Sequence, residues 1–197
     1  MVDFQNSRTK DNLMRSFAGE SQARNRYKFA ATKAKENKLY VIQTIFTFTS
    51  DQEKEHAEIF YHLLKQLSGQ NLPVNAQYPV DDYDDVVQLL RSAQHNEYQE
   101  YQHDYAQFGT IAQQEGFTNI ANTYHMIADI EKTHGDRFGC FADLMDQNKL
   151  FREDNEIEWI CLNCGHVHKG NSVPMMCPVC SHDQGYFIRR AKASFES

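Results

Sequence analysis

Four stretches of the chain repeat apolar residues at steps of three and four, the signature of amphipathic helices. In the first, Leu13, Phe17, Glu20, Ala23, Tyr27, Ala30 and Ala34 share a face. In the second, Ile42, Ile45, Thr49, Glu53, His56, Phe60 and Leu64 do so. The third carries Val86, Leu90, Ala93, Glu97, Glu100 and Phe108, and the fourth Ile120, Tyr124, Ile127, Glu131, His134, Phe138, Phe141 and Met145. The helices are predicted from about Ser7 to Glu36, Tyr40 to Leu67, Asp81–Asp84 to Glu115, and Thr118 to Gln147. Asn37-Lys38, Ser68-Gly69 and Glu115-Gly116 supply the breaks. Pro73 and Pro79 keep Gln70 to Asp82 non-helical, and that stretch is long enough to cross the end of a bundle. Asp81, Asp82 or Asp84 is expected to cap the third helix. Asp104 falls near the third stripe, so an irregularity or a wet patch is expected there.

Two helical hairpins joined by a crossover predict an all-α four-helix bundle over residues 1–147. A polar, acidic stretch at 148–157 is read as a linker, and 158–197 as a small separate unit.

The inward stripes carry residues that do not belong in an apolar core. Glu53-x-x-His56 and Glu131-x-x-His134 each place a carboxylate and an imidazole on the buried face, which is costly without a partner. Distance from the turns puts their neighbours at the same height. Taking the first turn at 37, Glu20 lies 17 residues before it and Glu53 16 after. Taking the second at 116, Glu97 and Glu100 lie 19 and 16 before, while Glu131 and His134 lie 15 and 18 after. Glu20, Glu53, His56, Glu97, Glu100, Glu131 and His134 therefore form one layer. Five carboxylates there would repel and take up protons unless cations neutralised them. Carboxylates with one His per metal suit iron or manganese and give the pattern of a carboxylate-bridged two-metal site. Glu36, Glu55, Glu58 and Glu115 fall off the stripes and are read as solvated, as are His62, His95, His103 and His125.

The C-terminal unit holds Cys161-x2-Cys164 and Cys177-x2-Cys180, with twelve residues between the pairs. Four thiolates at that spacing close a tetrahedral zinc or iron site, and a unit this small needs the metal to fold. Cys140 stands alone among apolar neighbours and is read as a small core residue.

Net charge is −7, without a Lys/Arg run, which argues against nucleic acid or an anionic membrane surface as a partner. No apolar run reaches membrane-spanning length. The first residues lack a basic segment followed by an apolar one, so no secretory signal is read and a cytoplasmic location is expected.

With both sites in hand, the chain resembles rubrerythrin over essentially its whole length. Phe17-Ala-Gly-Glu-Ser-Gln-Ala-Arg-Asn-Arg-Tyr27 and Asp51-Gln-Glu-Lys-Glu-His-Ala57 are typical of that family. The resemblance implies a ferritin-like di-iron bundle followed by a rubredoxin-like domain, with one iron held by Cys161, Cys164, Cys177 and Cys180; zinc is a possible substitute. It implies that Glu53 and Glu131 bridge the irons, that Glu20 binds one, and that Glu97 and His134 bind the other. His56 and Glu100 would be alternative ligands in the diferrous and diferric states. Tyr27 and Tyr105 match tyrosines that hydrogen-bond to ligand carboxylates. Gly165 fits the first cysteine turn, whereas Ser181 stands where free rubredoxins have Gly, so a looser second turn is expected. The implied activity is a peroxidase that reduces hydrogen peroxide to water in oxidative-stress defence. Electrons would come from an external NAD(P)H-dependent reductase or rubredoxin, because the chain has no dinucleotide fingerprint, and a homodimer is expected. The alternatives are a ferroxidase or oxygen-reducing iron-handling protein on the same bundle, and a zinc-ribbon interaction module on a metal-stabilised scaffold.

Overall fold

A computed structural model describes residues 2–193; residue 1 of the expected bundle and 194–197 of the expected C-terminal unit lie outside it. The helices are α1 (Arg8–Glu36), α2 (Tyr40–Leu63), α3 (Val86–Gln99), α4 (Tyr105–Glu115) and α5 (Thr118–Asp146). α3 and α4 form one rod, interrupted by a π-helical turn over Glu100–Asp104. The predicted irregularity near Asp104 is therefore a π turn. The Tyr105 amide donates to the Glu100 carbonyl, five residues back. One extra residue in the turn rotates everything after it, so Tyr105, not Asp104, occupies the inward position.

Local boundaries differ from expectation where the backbone had closer options. α2 ends at Leu63, and Lys65–Leu67 form a 3-10 turn before Gly69 at φ +86°. Asp85, not Asp81, Asp82 or Asp84, caps α3 by accepting from the Val87 amide at 2.9 Å. The left-handed residue between α1 and α2 is Lys38, next to Asn37. Gly116, at φ +92°, closes α4 as expected. Glu115 is not simply solvated. It accepts from the Arg8 and Thr9 amides at 3.0 and 2.9 Å and from the Thr9 hydroxyl, satisfying free N–H groups of α1.

The bundle core divides in two around the acidic layer. One half centres on Tyr27, Phe46, Leu90 and Phe138; the other centres on Phe60, Tyr105, Tyr124 and Ile127.

The expected 148–157 linker is a linker only up to Phe151. Strand β1 (Arg152–Cys161) begins there, and it pairs antiparallel with β2 (Val167–Ser172) and β3 (Phe187–Arg189) in the order β2-β1-β3. The polar stretch becomes strand because β2 and Arg189 supply its partners. The Arg189 guanidinium donates to the carbonyls of Lys149, Leu150 and Arg152 and to Glu153. Trp159, Val173, Phe187, Cys161 and Cys177 make a small core. The unit sits on the end of the bundle. Tyr40 and Tyr186 stack with ring centres 4.1 Å apart, and Ile160 and Ile188 join the bundle core. Gly185 packs directly on the Lys38 carbonyl, where a Cβ would lie only 1.9 Å from the oxygen.

Candidate metal centres

Each helix of the bundle delivers its acidic or imidazole residue to one buried layer. Glu20, Glu53, Glu131 and His134 are at most 1 % exposed, Glu97 2 % and His56 5 %. His56 Nδ1 lies 3.0 Å from Glu131 Oε1 and 3.2 Å from Glu53 Oε2. His134 Nδ1 lies 2.9 Å from Glu53 Oε1 and 2.9 Å from Glu131 Oε2. Glu53 and Glu131 thus each turn one oxygen to either histidine. Glu20 stands on the His56 side at 3.9 Å, and Glu97 on the His134 side at 3.7 Å. The two imidazoles face each other nearly parallel, 5.6 Å apart.

The result is two groups of ligand atoms, each within 4.8 Å: Glu20, Glu53, His56 and Glu131, and Glu53, Glu97, Glu131 and His134. They share two carboxylates, the arrangement that two bridged cations require. Glu100 belongs to neither group; it is half-buried beside them at the start of the π turn.

The orientation of the donor atoms tests whether cations fit. Both oxygens of Glu53 and Glu131, one of Glu20 and of Glu97, Nδ1 of His56 and both nitrogens of His134 have no hydrogen-bond partner among the described residues. They are close to one another yet aim at common points. Buried polar atoms without partners are rare and costly, and two cations would resolve all of these except His134 Nε2, which points away from the carboxylates that face Nδ1. The other oxygen of Glu20 and of Glu97 is satisfied. Tyr105 donates to Glu20 Oε1 at 2.5 Å, and Tyr27 donates to Glu97 Oε1. Burial, reinforced by the surrounding carboxylates, holds both phenols well above their ordinary range, so they remain donors.

Charge tells the same story. Burial, then the charges of Glu131, Glu53 and Glu100, pushes Glu20 well above the carboxylate range, and burial does the same to Glu100. Burial also favours protonation of Glu53, but His134 and His56 outweigh it and hold the group at about 2.

The four cysteines converge too. Cys161 Sγ lies 3.8 Å from Cys180 Sγ, and Cys164 Sγ 3.7 Å from Cys177 Sγ. Four sulfurs set tetrahedrally ~2.3 Å from one metal stand about 3.8 Å apart, and disulfide sulfurs about 2.05 Å. The spacing is that of a metal site. Two equivalent turns present the thiols: Gly165 donates to the Cys161 carbonyl at 2.8 Å and Ser181 to the Cys177 carbonyl at 2.9 Å. Ser181 holds φ +59°, so the second turn keeps its form despite the missing Gly. The His182 amide pulls the Cys180 thiol down to about 6, while burial pushes Cys161 up to about 12.

Every residue predicted as a ligand is in one of the two sites, apart from Glu100 at its edge. Some neighbours were not predicted. Arg137, one helical turn beyond His134, is half-buried and donates to Thr49 Oγ1 at 2.8 Å and Gln52 Oε1 at 3.1 Å. Its i+3 spacing from His134 was a visible signal, but nothing in the sequence told a buried guanidinium from a solvated one. His62, His95, His103 and His125 are exposed, as expected, and Cys140 is half-buried.

Fold and sites together define a ferritin-like di-iron protein with a rubredoxin-like C-terminal domain. Rubrerythrin family models match residues 11–141, and the model for the rubrerythrin rubredoxin-like domain matches residues 159–188. The chain is 39 % identical to rubrerythrin of Clostridium perfringens over 188 residues, 95 % of this chain and 96 % of that protein. It is 38 % identical to rubrerythrin of Nitratidesulfovibrio vulgaris, again covering 95 % and 96 %. The solved structure of nigerythrin in a partially reduced state superposes with a TM-score of 0.63 at 25 % identity, over 96 % of this chain and 91 % of that one. The chain belongs to the rubrerythrin family.

Proposed function

We propose that this protein reduces hydrogen peroxide to water at the bundle site, with electrons delivered through the four-cysteine iron. The observation that carries the reading is the pair of ligand groups sharing Glu53 and Glu131, on one chain with a second, four-thiolate metal site. Glu53 and Glu131 would bridge, Glu20 and His56 would complete one position, and Glu97 and His134 the other. Iron bound there supplies two electrons, one from each metal, and Lewis acidity toward the departing oxygen. Overall, one peroxide, two electrons and two protons give two waters.

The chain's own residues set the stage for this. Tyr27 and Tyr105 hold one oxygen each of Glu97 and Glu20, which would leave the other oxygen free for a metal. Glu100, at the rim, would replace His56 as a ligand when the site is oxidised, a harder ligand for a harder ion. Residues 1–147 would be the reducing unit and 158–197 the electron inlet. Electrons come ultimately from a reduced nicotinamide through a separate reductase or rubredoxin, and the working form is a cytoplasmic homodimer. Among the described residues no helix is long and apolar enough to cross a membrane.

The test is anaerobic stopped-flow absorbance of the fully reduced protein mixed with peroxide, and separately with oxygen. Fast oxidation by peroxide and slow oxidation by oxygen are expected. Fast reaction with oxygen alone points instead to a ferroxidase. Cys161→Ser is expected to keep the single peroxide oxidation of the prereduced bundle and to lose steady-state turnover.

A further inference from the structure

A cavity of about 270 Å³ lies between α1 and the π turn, and its lining includes Glu100, beside the metal layer, and Tyr105, which donates to Glu20. Glu100, Tyr105 and Gly19 form its inner end; Tyr78 and Pro79, on the crossover between α2 and α3, stand across its outer side. Gln22, Asn96 and Gln99 give it polar walls. That volume holds several waters at ~30 Å³ each.

The crossover is mostly exposed chain without helix or strand, the kind of segment expected to be mobile. Here it is pinned. The Tyr78 hydroxyl donates to the Arg15 carbonyl at 2.8 Å, and Arg15 Nε returns a bond to the Asn75 carbonyl at 2.9 Å. Beyond Tyr78, Asp81 accepts from Arg26 and from Asn96, both at 2.7 Å. That ion pair is mostly buried, at 13 % and 15 % side-chain exposure, so solvent screens it less than a surface pair. The segment is thus tied to α1 on either side of Tyr78 and to α3 through Asn96. Between the ties, the Tyr78 ring lies over Gly19, where a Cβ would meet it at 3.5 Å. Gly19 immediately precedes Glu20. Tyr78 is the one aromatic side chain among the crossover residues that line this cavity.

We propose that this cavity is the passage by which peroxide reaches the metal centre, and that Tyr78 sets the size of peroxide admitted. Hydrogen peroxide passes beside the ring, and hydroperoxides with a bulky alkyl group are held back. The choice of peroxide as the traveller rests on the function proposed above; the passage itself rests on the geometry.

Two measurements on the full chain separate those layers. The first loads the bundle with Co(II) and follows its removal by pyridine-2,6-dicarboxylate through the visible absorbance. Tyr78→Ala is expected to accelerate removal on the order of tenfold, with Tyr78→Leu intermediate and Tyr78→Phe close to native. The second compares oxidation of the reduced iron protein by tert-butyl hydroperoxide and by hydrogen peroxide. The ratio of the two rates is expected to rise on the order of tenfold in Tyr78→Ala and to follow side-chain size across the series, the scale on which pockets discriminate by bulk. Loosening of the fold would also grade with the size of the group removed, so thermal unfolding of each variant is followed alongside, and cobalt-removal rates that simply track the fall in Tm overturn the passage. Unchanged cobalt removal together with an unchanged rate ratio in Tyr78→Ala overturns the passage. Accelerated removal without reaction toward either peroxide keeps the passage and overturns peroxide as its occupant.

Discussion

Tyr105 donates a 2.5 Å hydrogen bond to Glu20 across the bundle, and it reaches that carboxylate only because the π turn adds one residue before it. In an unbroken α-helix the inward sequence from Glu97 would continue through Asp104. With the turn, Asp104 is half-buried at the edge and Tyr105 is enclosed. Tyr105→Phe leaves Glu20 Oε1 buried without its donor. We expect ferrous affinity of the bundle to fall 10- to 100-fold, measured by anaerobic titration against a competing chelator. Metal-free stability should change by no more than ~1–3 kcal/mol. Native affinity in the variant would show that Glu20 needs no fixing.

The residues that meet at the candidate metal centres were legible because they violate the pattern around them: a charged residue on an apolar stripe is conspicuous, and helical spacing then fixes its height. Glu20, Glu53, His56, Glu97, Glu131 and His134 all follow from those two facts, and the cysteines from their spacing. What spacing could not give is anything settled by tertiary contact. Arg137 and Glu115 look like ordinary surface charges until their partners, buried Thr49 with half-buried Gln52 and buried Thr9, are seen. Strand β1 starts within a run of Arg, Asp, Asn and Glu, because Arg189, far along the chain, satisfies the carbonyls there. Tyr78 lies in a stretch with no periodicity at all, so its place over Gly19 had no local signal.

Ser181 gives a direct stability test. It holds φ +59° in a turn that its counterpart, Gly165, makes at φ +76°. A side chain in the left-handed region costs ~1–2 kcal/mol, partly offset by the extra freedom glycine has when unfolded. Ser181→Gly is expected to stabilise the loaded C-terminal unit by about 0.5–1 kcal/mol, seen as slower loss of its visible absorbance in guanidinium. Faster loss would mean that the serine side chain contributes something the backbone argument omits.

Arg137 is a cation placed beside an acidic layer and has no carboxylate within ion-pair distance among the described residues. It bonds Thr49 and Gln52, lies 5.1 Å over the Phe48 ring, and feels the charges of Glu97 and Glu53. A nearby positive charge disfavours the more positive, oxidised state of the metals and so raises their potential. Arg137→Met should lower the midpoint potential of the bundle site, while Arg137→Lys retains most of the native value. Spectroelectrochemical titration measures both. Equal shifts in the two variants would assign Arg137 a packing role in place of an electrostatic one.

Without metal, the acidic layer should make stability fall as pH rises. Burial, then the charge of Glu53, raises Glu97 to about 8 despite His134. Burial opposes charge on His56 and His134, but the glutamate carboxylates set against them outweigh it and raise them to about 10 and about 12. Glu20 and Glu100 are also raised. All of these groups bind protons more tightly when folded than when unfolded, where Glu titrates near ~4.3 and His near ~6.5. Their contribution is complete below those unfolded values and is lost as pH climbs through the folded ones. Glu53, held at about 2, acts in the opposite sense, but only below the unfolded carboxylate value, outside this window. The Tm of the metal-free protein is therefore expected to decline from about pH 6 to about pH 9. Metal binding displaces these protons, so its stabilisation should grow with pH, by up to ~1.4 kcal/mol per unit for each proton released. Calorimetry of metal-free and Co(II)-loaded protein across that range reads the gap between the two melting temperatures. A gap that stays constant would mean the carboxylates and histidines are already deprotonated before the metal arrives.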